Sequence, residues 1–192
     1  MMNVSLFLVV CSALLIGCTT MQAPAERAQY HVSIGKRYVN IGHHAGAKSE
    51  FLTAARLDPT NPNLWGMAGS AAKQNGDFHE AIQYFMKVAE LNPNDSRAYA
   101  DIGSVHKQSR NFSEAITFFE KTLKLNPQEI GAAAMLAEIY FELQDFKKCE
   151  YYMNEFDMIL ARTRADLLPE KRKEAVEESL RKFANYRATI KK

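Results

Sequence analysis

A helix-stop signal recurs every 34 residues through the middle of this 192-residue chain. It reads leucine, then Asp or Asn, then proline, at Leu57-Asp58-Pro59, Leu91-Asn92-Pro93 and Leu125-Asn126-Pro127. A residue that precedes proline is pushed out of the α-helical region, so each signal ends a helix. A fixed period of this length predicts a stack of similar units, because one unit this small cannot bury its own apolar face.

The segment between two of these stops predicts a pair of helices joined by a tight turn. We expect the first helix from about residue 62 to Gln74 and the second from Phe78 to Leu91. Gly76 suits the left-handed backbone position that ends a helix. Asp77 and Glu80 have the spacing of a capping box, which would satisfy free amides at the start of the second helix.

Small and large side chains alternate in a way that lets two helices cross closely. Small residues recur in the first helix at Gly35, Gly69, Gly103 and Ala137, and in the second helix at Ala47, Ala81, Ala115 and Cys149. Large residues follow four positions later, at Phe51, Phe85, Phe119 and Met153. We expect Gly69 and Ala81 to face each other within their unit.

This pattern resembles the tetratricopeptide repeat, which has the same period and the same small and large positions. The resemblance implies an all-α solenoid of four helix-turn-helix repeats. Four units fit within residues 26–163, at 28–61, 62–95, 96–129 and 130–163.

The C-terminal segment, 164–192, predicts a further helix after Pro169. Its apolar side chains lie at helical spacing with charges between them, at Val176, Leu180, Phe183 and Ile190. We expect this helix to cap the open apolar face of the last repeat, and the alternative is an amphipathic helix that binds a partner. Repeat four has Ala161 where the stop proline would be, so its second helix is expected to run on toward Ala165.

The first 17 residues carry no charged side chain and lead into Leu15-Ile16-Gly17-Cys18. Their apolar run fits a signal peptide better than a membrane span, which needs about 20 residues. The four residues resemble the lipobox of bacterial lipoproteins, which implies a signal peptide over 1–17, a lipidated Cys18 and a tether over 18–25. Thr19, rather than Asp, then implies an outer-membrane anchor with the domain facing the periplasm. An uncleaved N-terminal helix is the alternative.

No enzyme motif is present in the sequence, whether nucleophile elbow, phosphate-binding loop, dinucleotide fingerprint or zinc-protease helix. A hydrophobic content of 47% and a charged content of 24% indicate a soluble globular protein. A net charge of +2 gives no reason to expect nucleic acid as a partner. His43 and His44 are adjacent, so they do not face a common metal ion. We therefore expect no enzyme, no metal and no cofactor.

Cys149 replaces Ala at a small packing position, which predicts a buried, unreactive thiol.

In tetratricopeptide proteins the concave face binds the partner, through positions 2, 5, 9, 12 and 13 of each repeat. Carried over to this sequence, these positions give twenty residues, of which ten are the candidate partner-binding residues: Lys36, Asn40, Asn63, Lys73, Gln74, Arg97, Ser104, Lys107, Gln108 and Phe141. We expect the basic ones to converge in one concavity and to attract a segment with acidic or amide side chains.

Chaperone-binding members of the family hold a C-terminal carboxylate with a Lys-Asn-Asn-Lys-Arg set. The matching positions here are Val32, Lys36, Met67, Arg97 and Asp101. Two basic residues survive, and Asp101 would repel a carboxylate, so this activity is excluded.

Lipobox, short tether and repeat array together resemble the small outer-membrane lipoproteins of pilus assembly. These include type IV pilus pilotins, which help a secretin to assemble, and the Tad/Flp pilus lipoproteins. The resemblance implies a lipid-anchored adaptor whose partner is a secretin or another pilus component. The alternatives are an adaptor that recruits peptidoglycan-remodelling enzymes and a periplasmic chaperone that holds unfolded clients.

Overall fold

A computed structural model describes residues 24–163 and 169–190, and within these ranges the chain forms nine helices and no strand. The helices are α1 (Pro24–Asn40), α2 (His44–Leu57), α3 (Pro62–Asn75), α4 (Phe78–Leu91), α5 (Ser96–Gln108), α6 (Phe112–Leu125), α7 (Ile130–Glu142), α8 (Phe146–Arg162) and α9 (Glu170–Ile190). The predicted lipobox and signal peptide lie outside the described residues. No helix in the described part of the chain is long and apolar enough to cross a membrane.

The first eight helices form four antiparallel hairpins that stack in chain order, and α9 packs on the last one. The turn inside each hairpin contains one residue in the left-handed region, at 34-residue intervals. These residues are Gly42 (φ 73°), Gly76 (φ 87°), Arg110 (φ 62°) and Gln144 (φ 59°). The predicted left-handed role of Gly76 is therefore confirmed, and two repeats adopt the same turn without glycine.

The core of each of the first three hairpins contains an aromatic ring packed against a glycine backbone, and the fourth has Ala137 and Met153 at these positions. A Cβ atom built on Gly69 would lie 2.8 Å from the Phe85 ring, and one built on Gly35 would lie 2.5 Å from the Phe51 ring. The Phe85 ring therefore fills the space beside Gly69, as the pattern of small and large positions predicts. Ala81 is fully buried in the same hairpin, and its position opposite Gly69 stays a prediction.

The predicted capping box in α4 is also wrong. Asp77 makes no side-chain hydrogen bond to the helix amides. Lys48, from α2 of the preceding repeat, instead donates to Asp77 and, at 2.8 Å, to Glu80. A lysine ammonium is a stronger donor than a neutral amide, so the two carboxylates join neighbouring repeats rather than capping their own helix.

The C-terminal helix caps the last repeat, as predicted. Phe183 is fully buried, and its ring centroid lies 5.0 Å from that of Phe156 on α8. Leu180, however, is 38% exposed, while Ser179 is buried in its place. Three of the four predicted apolar residues, Val176, Phe183 and Ile190, therefore pack on the core together with Tyr186, and Leu180 is the exception.

Helix α8 spans 17 residues, against 14 in α2, α4 and α6, so the longer helix predicted for repeat four is present. It ends at Arg162 rather than continuing to Ala165, because Thr163 is extended with ψ at 132°. The contacts of α9 advance along α7 in the same direction, from Glu138 with Lys182 to Phe141 with Tyr186. Helix α9 therefore lies parallel to α7, where the first helix of a fifth repeat would lie.

Candidate functional site

An open groove runs along the inner surface of the first three repeats. It has a volume of about 720 Å³ and is formed mainly by α1 and α3, with two residues from α2 and Asp101 from α5. We call it the N-terminal groove. It brings together four of the predicted residues, namely Lys36, Asn40, Asn63 and Gln74. These side chains meet because every first helix turns the same repeat positions toward the inside of the stack.

The floor of the N-terminal groove is built from small side chains. Gly66, Ser70 and Ala71 leave room above α3, and Val39 and Met67 add apolar surface. The three carboxamides, Asn40, Asn63 and Gln74, are exposed around this floor. A carboxamide both donates and accepts hydrogen bonds, so this lining suits the backbone of an extended polypeptide.

Lys107 does not carry a free charge toward the groove. Its Nζ lies 2.5 Å from Glu138 Oε2, and Lys182 Nζ lies 3.0 Å from Glu138 Oε1. The Glu138 side chain is 8% exposed, and burial alone would raise its pKa. The hydrogen bonds and charges of the two lysines outweigh burial and leave the pKa of Glu138 lowered. One carboxylate thus joins α5, α7 and α9.

The side chains of Arg97 and Lys73 also make hydrogen bonds within the protein. Arg97 makes a two-point contact with Asp95, the N-cap residue of its own helix, and its hydrogen bonds lower the pKa of Asp95. Lys73 donates to Ser104 Oγ at 3.4 Å. The expectation that Lys36, Lys73, Arg97 and Lys107 combine their charges in one recess is therefore wrong. Repeat positions place a side chain on a face, but its ion-pair partner depends on charges elsewhere in the fold.

The remaining predicted residues lie toward repeat four. Ser104, Lys107 and Gln108 line a second recess of about 330 Å³ beside α5 and α7. Phe141 is covered by α9, since its ring stacks on that of Tyr186 with centroids 3.7 Å apart. The inner surface of repeat four is therefore occupied by the chain's own C-terminal helix, and Phe141 packs within the protein.

Five groove residues lie outside the predicted concave-face positions, namely His44, Phe51, Met67, Ala71 and Asp101. His44 comes from a second helix, whereas Met67 and Asp101 both lie at the sixth position of their repeats. The sixth position is adjacent to the fifth, which the family pattern does include. Adding the sixth repeat position to the predicted concave face includes Met67 and Asp101.

The described residues also bear on catalytic and metal chemistry. No group of three or more His, Cys, Asp or Glu side chains in 24–163 and 169–190 is placed to hold a metal ion. The ring of His43 accepts a hydrogen bond from the Gly46 amide at 3.0 Å, so it caps α2. Cys149 is fully buried, as predicted, and burial raises the pKa of its thiol to about 11, which keeps it protonated and a poor nucleophile.

Comparison with known proteins agrees with this architecture. The tetratricopeptide repeat family model matches residues 62–95 and 96–129. No curated protein matches the sequence.

Similar solved structures are tetratricopeptide proteins. The crystal structure of MamA has 22% identity and a TM-score of 0.65, over 70% of this chain and 79% of that one. The Arabidopsis OM64 TPR domain has 18% identity and a TM-score of 0.57, over 62% and 98%. The first TPR of Spaghetti (RPAP3), bound to an HSP90 peptide, has 24% identity and a TM-score of 0.57, over 62% and 95%.

At these identities the shared property is the fold. The chain is an all-α tetratricopeptide solenoid with a C-terminal capping helix. Tetratricopeptide proteins are generally scaffolds for protein–protein interaction rather than enzymes.

Proposed function

We propose that this chain is a lipid-anchored adaptor of the bacterial cell envelope, and that its N-terminal groove binds a segment of a partner protein. The observation that carries this proposal is the open groove on α1, α3 and α5, with its small floor and exposed carboxamides. The partner belongs to a pilus or secretion complex, such as a secretin, and the adaptor assists its assembly. The anchor holds the solenoid at the outer membrane, facing the periplasm.

Two comparisons within the molecule support the N-terminal groove as the binding surface. Repeat four is covered by α9, where Tyr186 and Lys182 contact Phe141 and Glu138. The recess beside α5 and α7 has less than half the groove's volume, at about 330 Å³ against 720 Å³. The Spaghetti repeat domain, which has the same fold, is bound to a peptide.

The envelope part of the proposal depends on Cys18 and the lipobox around it. Cys18→Ser should prevent acylation and release the protein from the membrane fraction. Mass spectrometry of the mature wild-type N-terminus should find a lipid-modified Cys18. A wild-type chain that retains Met1, or that is wholly soluble after fractionation, would show that this part of the proposal is wrong.

The partner is identified most directly by photocrosslinking from inside the groove. Ser70 is exposed on α3 and lines the groove, so a benzoylphenylalanine placed there should crosslink the bound partner. The matched control is Ser113, an exposed serine near the start of α6 that lines neither recess. We expect a secretin or pilus subunit to crosslink from Ser70 and not from Ser113. Crosslinks to cell-wall hydrolases, or to many unfolded proteins, would contradict the pilus role.

A further inference from the structure

Asp101 carries a carboxylate that lacks a counter-charge in the N-terminal groove. It lies on α5, lines the groove and is only partly exposed. In the described residues no cation lies within ion-pair distance of this carboxylate, and no side chain donates a hydrogen bond to it. Asp95, whose charge acts on Asp101, and Glu138 on α7 are both held by cations. Asp101 therefore differs from its acidic neighbours.

The charged groups around Asp101 do not replace the missing counter-charge. Burial raises the pKa of the Asp101 carboxyl, and the charges of Lys73 and Arg97 lower it less than burial raises it. The negative charge of Asp95 raises it further. The Lys73 ammonium is directed to Ser104, and the Arg97 guanidinium is directed to Asp95. A partly desolvated carboxylate without a partner destabilises the fold, so its presence in a groove points to a ligand that supplies the missing charge.

Building on the proposed function, we propose that Asp101 determines the specificity of the N-terminal groove by binding a lysine or arginine side chain of the partner segment. Such a side chain completes an ion pair that the protein lacks on its own. Lys36, on α1, also lines the groove, and its ammonium favours a hydrogen-bond acceptor on the part of the partner segment nearest α1. The groove therefore takes a segment with a basic residue, and it excludes the acidic C-terminal peptides that other tetratricopeptide domains bind.

The test uses a positional-scanning library of unmodified nonapeptides with one position fixed as Arg, Lys, Gln or Glu. The full wild-type chain should bind the Arg and Lys pools at least about tenfold more tightly than the Gln pool, because the contact is charged and partly desolvated. Asp101→Asn should reduce this preference to about twofold or less. Lys73→Gln should increase it, because the nearby cation that competes for Asp101 is removed.

The stability of the same variant separates a binding role from a structural one. Asp101→Asn removes an uncompensated charge without changing the shape of the side chain, so the melting temperature of the free protein should stay the same or rise. A residue kept for structure would show the opposite, a lower melting temperature. A variant that is at least as stable as wild type and has lost the basic preference is the result that this inference predicts.

The remaining outcomes distinguish this inference from the proposed function. If peptides bind wild type but not a groove-blocking Ser70→Trp variant, and show no preference for Arg or Lys, the role of Asp101 is wrong and the groove remains the binding site. If no pool binds, or if Ser70→Trp binds as well as wild type, the groove is not a peptide site. Both the proposed function and the role of Asp101 would then be overturned.

Discussion

At the scale of single residues, two glycines of α3 lie in very different surroundings. A Cβ on Gly69 would lie 2.8 Å from the Phe85 ring, which is 1% exposed and fixed in the core. A Cβ on Gly66 would lie 3.9 Å from its nearest neighbour, an ordinary contact distance. The same substitution should therefore have opposite effects at these two sites on one helix.

We predict that Gly69→Ala destabilises the protein by about 1 kcal/mol or more, since overpacking outweighs the gain in helix propensity. Gly66→Ala should instead stabilise it by up to about 1 kcal/mol. Urea unfolding of both variants, followed by circular dichroism, measures the difference. Equal midpoints for Gly69→Ala and Gly66→Ala would mean that the Phe85 ring does not pack on Gly69.

The left-handed turns give a second prediction for single residues. Gln144 has φ at 59° and is exposed, so its backbone strain has no evident compensation. Gln144→Gly should raise stability by about 1 kcal/mol by removing that strain. Gly76→Ala, at the equivalent turn with φ at 87°, should lower stability by a similar amount. A Gln144→Gly variant with a lower melting temperature would contradict this reading of the turn.

The sequence predicts which side chains pack in the core of the repeats better than it predicts their hydrogen-bond and ion-pair partners. The repeat period predicts that Phe85 and Ala81 lie in the core, because it fixes which face of each helix meets its neighbour, and both are buried. The capping box at Asp77 failed because Lys48, which is 29 residues earlier, reaches the same carboxylate. Periodicity encodes packing, whereas an ion pair depends on which charged side chain an adjoining repeat happens to present.

At the scale of elements, α9 completes the core of the last repeat through one deeply buried ring. Phe183 is fully buried, whereas Leu180 on the same helix is 38% exposed. Helical spacing alone does not separate these two residues, because they lie three positions apart on the same apolar stripe of α9.

We predict that Phe183→Ala costs about 3–5 kcal/mol, the usual range for emptying a buried aromatic site. Leu180→Ala should cost about 1 kcal/mol or less, because much of that side chain already contacts solvent. Chemical denaturation measures both, and hydrogen exchange should locate the loss in α7, α8 and α9. If the two substitutions destabilise equally, α9 does not pack through Phe183.

The ion pairs of Glu138 make the stability of the protein depend on pH. Because the folded-state pKa of Glu138 lies below its ordinary value of 4.5, its contribution to stability is present above that value. That contribution is lost as the pH falls below 4.5 and the carboxylate is protonated. The difference in unfolding free energy between wild type and Glu138→Gln should therefore shrink on acidification. A difference that is constant from pH 7 to about pH 3 would contradict the role of Lys107 and Lys182 as its partners.

At the scale of the whole molecule, the binding surface is shorter than the repeat array. Sequence predicted Lys36, Asn40, Asn63 and Gln74 in the groove because their repeat positions recur on parallel first helices. It could not predict that α9 would cover Phe141, because repeat positions say nothing about a helix that follows the array. The capping helix α9 therefore limits the part of the concave face that a partner can contact.

The central claim, that a partner segment lies in the N-terminal groove, is tested most directly by calorimetry with the segment crosslinked from Ser70. The full chain carrying Ser70→Trp should bind that segment at least about tenfold more weakly than wild type, because indole fills the floor of the groove. Ser113→Trp, the matched change on α6, should bind with wild-type affinity, and both variants should retain the wild-type circular dichroism spectrum. A folded Ser70→Trp variant that binds as tightly as wild type would place the partner elsewhere and contradict the claim.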